Sequence, residues 1–386
     1  MNALWYYAIA FVIIWILAIL LKDKLKIDIE GPLLMRRTLR MRDFIDRIAQ
    51  KSPRFWKVFM NIGIPVAVFF MGLMVYFLVI SLETLLQAPQ VGLILPGVDY
   101  PGAPIYIPLF YGIIGLATVI VVHEFAHGIL ARAEGIEIKS IGVLLLAVLP
   151  GAFVEPDEEG VKKASRLSKL RIYAAGSIAN LSLAAVGFII VFVLSNFVIA
   201  GSFHSEGVEI NSIVPNSPSD GILKQGMIIQ SINGYSTDNV TKYSEALTKI
   251  KIGDEVTIQT DQGVFKVKAG VNPNNATRPY LGIRSQQHLV VNQEVSSTYG
   301  NIIPWISFYL QDLFYWIFIL NFLVGTFNLL PMKPLDGGLM FEELLGYKLS
   351  EKTVKPIVRT VSIFLITVLA VSLVYGLGRS ISLLLS

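Results

Sequence analysis

At 386 residues the chain is long enough for two soluble domains, but 54% hydrophobic and 16% charged residues with a mean hydropathy of +0.62 describe a membrane protein. The formal charge of +4 does not indicate nucleic acid, because the basic residues cluster beside apolar runs, where membrane topology and lipid headgroups account for them. No cysteine is present, which excludes disulfides and thiol catalysis and leaves nitrogen and oxygen as the ligands for any metal.

A helical span takes about 20 apolar residues. Ala3–Leu21 supplies the first; without a basic segment before it or an A-x-A site, it reads as an uncleaved helix rather than a signal peptide. Lys22–Lys57 is dense in basic residues, among them Arg36, Arg37, Arg40, Arg42 and Arg47. Phe59–Leu86 is the second span, and Gln87–Pro104 beyond it holds no Lys or Arg. That asymmetry puts Lys22–Lys57 in the cytosol and the N-terminus outside. The third span, Ile107 to about Ala131, then runs inward. Ile136–Val154 follows, with an apolar core, Ile141–Leu149, too short to cross as a helix and a turn signal at Pro150-Gly151. It reads as a β-hairpin or re-entrant segment, with a short interfacial helix as the alternative. Lys162, Lys163, Arg166, Lys169 and Arg171 form a second cytosolic patch before the fourth span, Ile172–Ile199. Within that span Gly176 and Asn180 share one helix face.

Between Gly201 and His288 the composition becomes that of a soluble domain. Gly207–Val214 and Met227–Ile232 alternate as strands, Thr241–Lys251 has helical spacing, and Asp254–Thr260 and Val264–Ala269 flank Asp261-Gln262-Gly263 as a hairpin. One main helix among several strands describes a small, partly open barrel, placed outside the membrane by topology. Ile302–Leu330 returns as the fifth span, Lys348, Lys352, Lys355 and Arg359 keep the next loop cytosolic, and Ser362–Leu385 is the sixth, ending outside.

Two motifs carry the chemistry. His123-Glu124-Phe125-Ala126-His127 sits within the third span, and residues four apart share a helix face, so both imidazoles can meet one metal. Glu124 beside them is the candidate general base, and H-E-x-x-H marks zinc-dependent peptide hydrolysis. Ionisable groups inside an apolar span are costly and usually functional. The fifth span ends in Asn328-Leu-Leu-Pro331-Met-Lys-Pro334-Leu335-Asp336-Gly337-Gly338, where two prolines three apart break the helix. Irregular backbone at that depth needs cover from protein or a water-filled cavity, which makes Asp336 the candidate third zinc ligand; a helix cap or an interfacial turn is its plainer reading.

Together the two motifs resemble the site-2 protease family of intramembrane zinc metalloproteases, which pair H-E-x-x-H with a later N-x-x-P-x-x-L-D-G. The resemblance covers about Ile107–Leu345. It implies Zn2+ on His123, His127 and Asp336, Glu124 as general base, and Asn180 and Asn328 as residues that hold substrate. The outer module looks like a permuted PDZ domain, in which Tyr280-Leu281-Gly282-Ile283 resembles the loop that receives a peptide carboxylate. Ile136–Val154 resembles the family's membrane-associated β-hairpin.

The expectation is therefore a polytopic α-helical protein of the cell membrane with about six transmembrane helices, that hairpin, and an inserted α/β PDZ-like domain. Its parts are residues 1–106 (two helices and the basic loop), 107–200 and 291–386 (the catalytic core and last helix), and 201–290 (the outer domain). Transmembrane proteins would be cut near the cytosolic leaflet, with peptide C-termini bound at the outer domain. A membrane-tethered peptide-binding scaffold with an inert metal site is the alternative, and a metal transporter is disfavoured because the spans show no internal repeat.

Overall fold

The computed structural model describes residues 3–38, 41–84, 95–98, 105–146, 149–272 and 275–385. Among these, five helices are long and apolar enough to cross a membrane: Pro53–Leu82, Leu109–Ala133, Arg166–Ser202, Ile302–Phe327 and Glu351–Gly376. The first helix, α1 (Ala3–Leu20), contributes a shorter apolar stretch, Tyr7–Leu20. Most of Gln87–Pro104 lies outside the described residues. The chain forms two compact units, Met1–Val191 with Asp312–Ser386, and Phe192–Gln311.

In the first unit, the basic stretch after α1 is not the plain loop its charges suggest. It folds into β1 (Asp28–Glu30), β2 (Leu33–Thr38) and the helix α2 (Arg42–Lys51). Arg37 donates to Asp28 at 2.6 Å between these strands. On α2, Ile45 and Ala49, four apart, are fully buried while Asp43, Arg47 and Lys51 are exposed. Helix α3 (Pro53–Thr84) opens on proline, whose fixed φ suits a first helical turn.

Helix α4 (Leu109–Ala133) carries H-E-x-x-H in its last three turns and stops in a Schellman arrangement. The Ile136 N–H returns to the Ala131 carbonyl at 2.8 Å and the Gly135 N–H to that of Arg132 at 3.0 Å, with Gly135 at φ +86°. That stop turns the chain into β3 (Ile138–Leu146) and β4 (Leu149–Pro156), which pair antiparallel. The sheet order is β1-β2-β3-β4, so β4 is an edge. Gly142 is required here, since a Cβ would lie 2.3 Å from the Phe153 ring across the pair.

Helix α5 (Arg166–Val193) continues through a π-helical stretch, Leu194–Ile199, to Ser202. Helix α7 (Ile302–Phe327) packs against both α4 and α5, brought close by small residues: a Cβ on Gly115 would meet Leu320 at 2.6 Å, and one on Gly187 the backbone of Phe314 at 3.2 Å. Buried Asn321 bridges this seam by donating to Thr118 Oγ1 at 3.0 Å. The core beneath the motifs joins Ile45, Leu130, Ile138, Ala174, Ala175, Leu329 and Met340. Helix α8 (Asp336–Leu345) is short. Helix α9 (Glu351–Leu385) starts well before the expected sixth span, because the basic residues Lys352, Lys355 and Arg359 continue one helix rather than a loop.

In the second unit an antiparallel sheet contains β5 (Phe203–Ile213), β6 (Ile228–Ile232), β7 (Glu255–Thr260), β8 (Gly263–Lys268) and β9 (Ile283–Val291), ordered β9-β5-β6-β7-β8. Val208 and Ile210 on β5 and Val256 and Ile258 on β7 are fully buried, the period-2 pattern of a strand with one covered face, while on β6 a register shift between Ile229 and Ser231 lets Ile229 and Ile232, three apart, both be buried. Helix α6 (Val240–Thr248) covers that face with Tyr243 and Ala246, and Asn239 caps it by accepting from the Lys242 N–H at 2.9 Å. Asn233-Gly234 makes the two-residue turn after β6 with both φ positive. Strand β5 begins four residues earlier than the alternation suggests, because Phe203 and His204 pair with the end of β9.

Candidate metal centre and active site

The spacing of H-E-x-x-H on α4 puts both imidazoles on the face turned toward α5 and α8. His123 Nε2 and His127 Nε2 lie 3.3 Å apart, and each lies 3.1 Å from Asp336 Oδ2. Asp336 is brought there by the broken segment that precedes it. The Gly337 N–H donates to the Asn328 carbonyl at 2.8 Å, folding Asn328–Leu335 back on the start of α8. A Cβ on Gly337 would meet the Leu329 carbonyl carbon at 2.3 Å and one on Gly338 that of Met332 at 2.4 Å, so two adjacent glycines make the fold-back. The Lys333 N–H donates to Ser362 Oγ at 3.0 Å, tying the same loop to α9. Asp336 is the first residue of α8, where the helix dipole favours a negative charge.

These three residues fit a catalytic zinc ion on structural grounds. Two imidazole nitrogens and one carboxylate oxygen converge within 4.8 Å, which is the nitrogen and oxygen donor set of a catalytic site that keeps one position open. The His127 Nδ1–H donates to the Ile172 carbonyl at 2.7 Å, fixing the tautomer whose Nε2 is free to bind metal. Gly176 on α5 makes room for the rings: a Cβ there would sit 2.5 Å from His127 Nε2 and 2.6 Å from His123 Nδ1.

Glu124 lies beside the three. Its carboxylate accepts the Val154 N–H of β4 at 3.1 Å, so the edge strand aims the candidate base. A cavity of about 320 Å³ opens at this point, lined among others by His123, Glu124, Gly151, Ala152, Asn328 and Asp336. The four residues expected from the two motifs thus come together. Asn328 also lines the cavity. Asn180, expected beside it as a substrate contact, does not: it is fully buried against His123, with its side-chain nitrogen 3.3 Å from His123 Nδ1. Ile172 and Val154 carry no signal in the sequence as parts of the site, because both act through backbone atoms. The Gly176–Asn180 spacing was the one visible signal.

Outside the membrane-spanning helices, the side chain of Glu134 after α4 is nearly buried, at 5% exposed. Burial would raise its carboxyl, but hydrogen bonds from Arg171 and Ser168 and the charge of Lys57 outweigh it and hold the group below its ordinary value. Arg171 donates to it at 2.8 Å and also to Asn61 at 2.9 Å, so one carboxylate gathers α3, α4 and α5.

In the second unit, Tyr280, Leu281, Gly282 and Ile283 line a cavity of about 210 Å³ with Tyr243 and Leu247 of α6. Gly282 has φ +79° and packs on Ser217. Ile283 opens β9, an edge strand of that sheet.

Residues 111–369 match the model of Peptidase family M50. An uncharacterized protein of Methanocaldococcus jannaschii is 30% identical over 334 residues, covering 84% of this chain and 81% of its own length. A membrane-bound transcription factor site-2 protease homolog of Arabidopsis thaliana is 29% identical over 153 residues, covering 40% of this chain, which spans 29% of that longer protein. The PDZ domain of an SdrC-like protein from Listeria innocua is similar to 21% of this chain at 26% identity, covering 96% of that domain with a TM-score of 0.20. A match over two thirds of the sequence, on residues that include the converging His-His-Asp group, places the chain in peptidase family M50, the site-2 protease family.

Proposed function

We propose that this chain is an intramembrane-cleaving zinc metalloendopeptidase that hydrolyses a peptide bond in a transmembrane segment of membrane-protein substrates. The observation that carries the reading is the convergence of His123, His127 and Asp336 next to Glu124, at a cavity bounded by an edge strand. When bound, zinc supplies Lewis-acid polarisation for the hydrolysis. Glu124, aimed by the Val154 N–H, takes the proton of the attacking water and delivers it to the leaving amine. A helical substrate hides its carbonyls in its own hydrogen bonds and must unwind before attack. The Val154 N–H points away from β3, and Ala152, two residues earlier, shares that side, so β4 has backbone groups to offer an extended substrate strand. Asn328, which lines the same cavity, bonds the freed backbone.

The inserted unit acts as a PDZ-like module that takes peptide C-termini at Tyr280–Ile283, next to α6 and an edge strand, and screens substrates by their outer segments. The active site then faces the cytosolic leaflet of the cell membrane and this module lies outside, a reading that the basic stretches flanking the spans support. The test is a reconstituted single-span substrate with wild type and Glu124→Gln. Wild type is expected to cut within the apolar segment, mapped by mass spectrometry, and the variant to lose 100-fold or more, on the order of general-base catalysis. Cutting only in soluble loops would reject the intramembrane assignment.

A further inference from the structure

An imidazole can present Nε2 to a metal only when its proton sits on Nδ1. His127 meets that condition through the Ile172 carbonyl. His123 Nδ1 instead faces the side-chain nitrogen of Asn180 at 3.3 Å. An amide NH2 only donates, so this rotamer drives the His123 proton onto Nε2, toward Asp336 Oδ2 at 3.1 Å. The same rotamer leaves Asn180 Oδ1 buried without a hydrogen-bond partner.

A half-turn of the amide exchanges Oδ1 and Nδ2 within the same volume. Oδ1 then accepts from the His123 Nδ1–H, and Nε2 is freed to bind. Among the described residues, Asn180 is the one side chain with a polar atom at hydrogen-bond distance from His123 Nδ1. Gly176, one turn earlier, leaves that path open, and Gly325 of α7 packs behind Asn180, where a Cβ would lie 3.2 Å from Asn180 Cβ. Full burial separates Asn180 from the cavity that Asn328 lines. We propose that Asn180 is a positioning residue for the metal: its side-chain oxygen takes the Nδ1 proton of His123 and so fixes the tautomer that presents Nε2. The inference rests on the metallopeptidase reading and adds to it the partner that prepares the first histidine.

The test is zinc affinity of the full-length protein in detergent, measured by competition with a chelating dye after metal removal. Asn180→Leu deletes the acceptor at similar volume and is expected to weaken zinc binding by roughly 10–100-fold, the usual effect of losing a partner of a metal-bound histidine. Asn180→Asp returns an acceptor oxygen to the same place and is expected to recover most of that loss, which a purely packing role would not allow. Should Asn180→Leu fail to fold, Asn180→Ala deletes the same acceptor and replaces it in the comparison. Equal affinity in the acceptor-deleted variant and wild type would overturn the proposal, as would equal losses in the acceptor-deleted and Asp variants. Wild type that takes up no zinc would instead overturn the metallopeptidase reading itself, and this assignment with it.

Discussion

Replacing Gly176 with alanine would put a methyl carbon 2.5 Å from His127 Nε2 and 2.6 Å from His123 Nδ1. Neither ring can retreat without leaving Asp336, so Gly176→Ala is expected to lower zinc affinity at least tenfold, on the scale of lost support around metal ligands. Equilibrium dialysis against free zinc checks this; unchanged affinity would mean that the helices part at no cost. Glu134 offers a different test at the same scale. Its folded-state carboxyl is depressed, so its stabilising contribution is complete above the ordinary value of 4.5 and is lost as pH falls below that value through the folded one. Glu134→Gln is expected to flatten the acid limb of the thermal-unfolding profile. It is also expected to cost roughly 3 kcal/mol at neutral pH, as for a buried pair deprived of one partner. A profile identical to wild type would remove Glu134 from the account of how α3, α4 and α5 are held. The site itself was legible at this scale because both motifs are short and their spacing alone sets geometry: a histidine pair on one helix face, and an aspartate behind two prolines. The Asn180 amide was not, since spacing places it near His123 but only tertiary packing decides which of its atoms faces the ring.

At the scale of elements, β4 joins structure to chemistry. Its outward N–H groups include that of Val154, which aims Glu124, and by alternation that of Ala152. Ala152→Pro removes an outward donor while leaving the ladder to β3, as edge strands allow. Cleavage of a transmembrane substrate is expected to fall tenfold or more with zinc content unchanged, the size expected for losing a backbone hydrogen bond of about 1.4 kcal/mol in the transition state. Undiminished cleavage would remove β4 as the substrate's partner. Strands β1 and β2 were illegible for a physical reason. Leu33-Leu34-Met35-Arg36-Arg37 reads as a basic loop until β3 supplies the neighbouring strand, and strand preference depends on such neighbours. In the second unit β5 to β8 were legible because apolar alternation and the turns at Asn233-Gly234 and Asp261-Gln262-Gly263 are local signals, while β9 was not.

The whole molecule divides into a unit built of apolar helices and one built around an antiparallel sheet. If the second unit screens substrates, damage to its groove should alter choice and spare chemistry. Gly282→Val is suited to this, because the position has φ +79° and faces Ser217 at close range. Binding of a fluorescent peptide with an apolar C-terminus is expected to fall at least tenfold, a loss of about 1.4 kcal/mol, while cleavage of a substrate lacking an outer segment persists. Joint loss of both would tie the module to catalysis. On the proposed reading, His123, His127 and Asp336 together hold one zinc ion. The most direct test measures zinc per chain and cleavage of a single-span substrate on the same preparations of wild type and Asp336→Ala. Wild type is expected to carry one zinc and cut, and Asp336→Ala to lose both. Stoichiometric zinc and undiminished cleavage in Asp336→Ala, or a wild type that cuts without zinc, would contradict it.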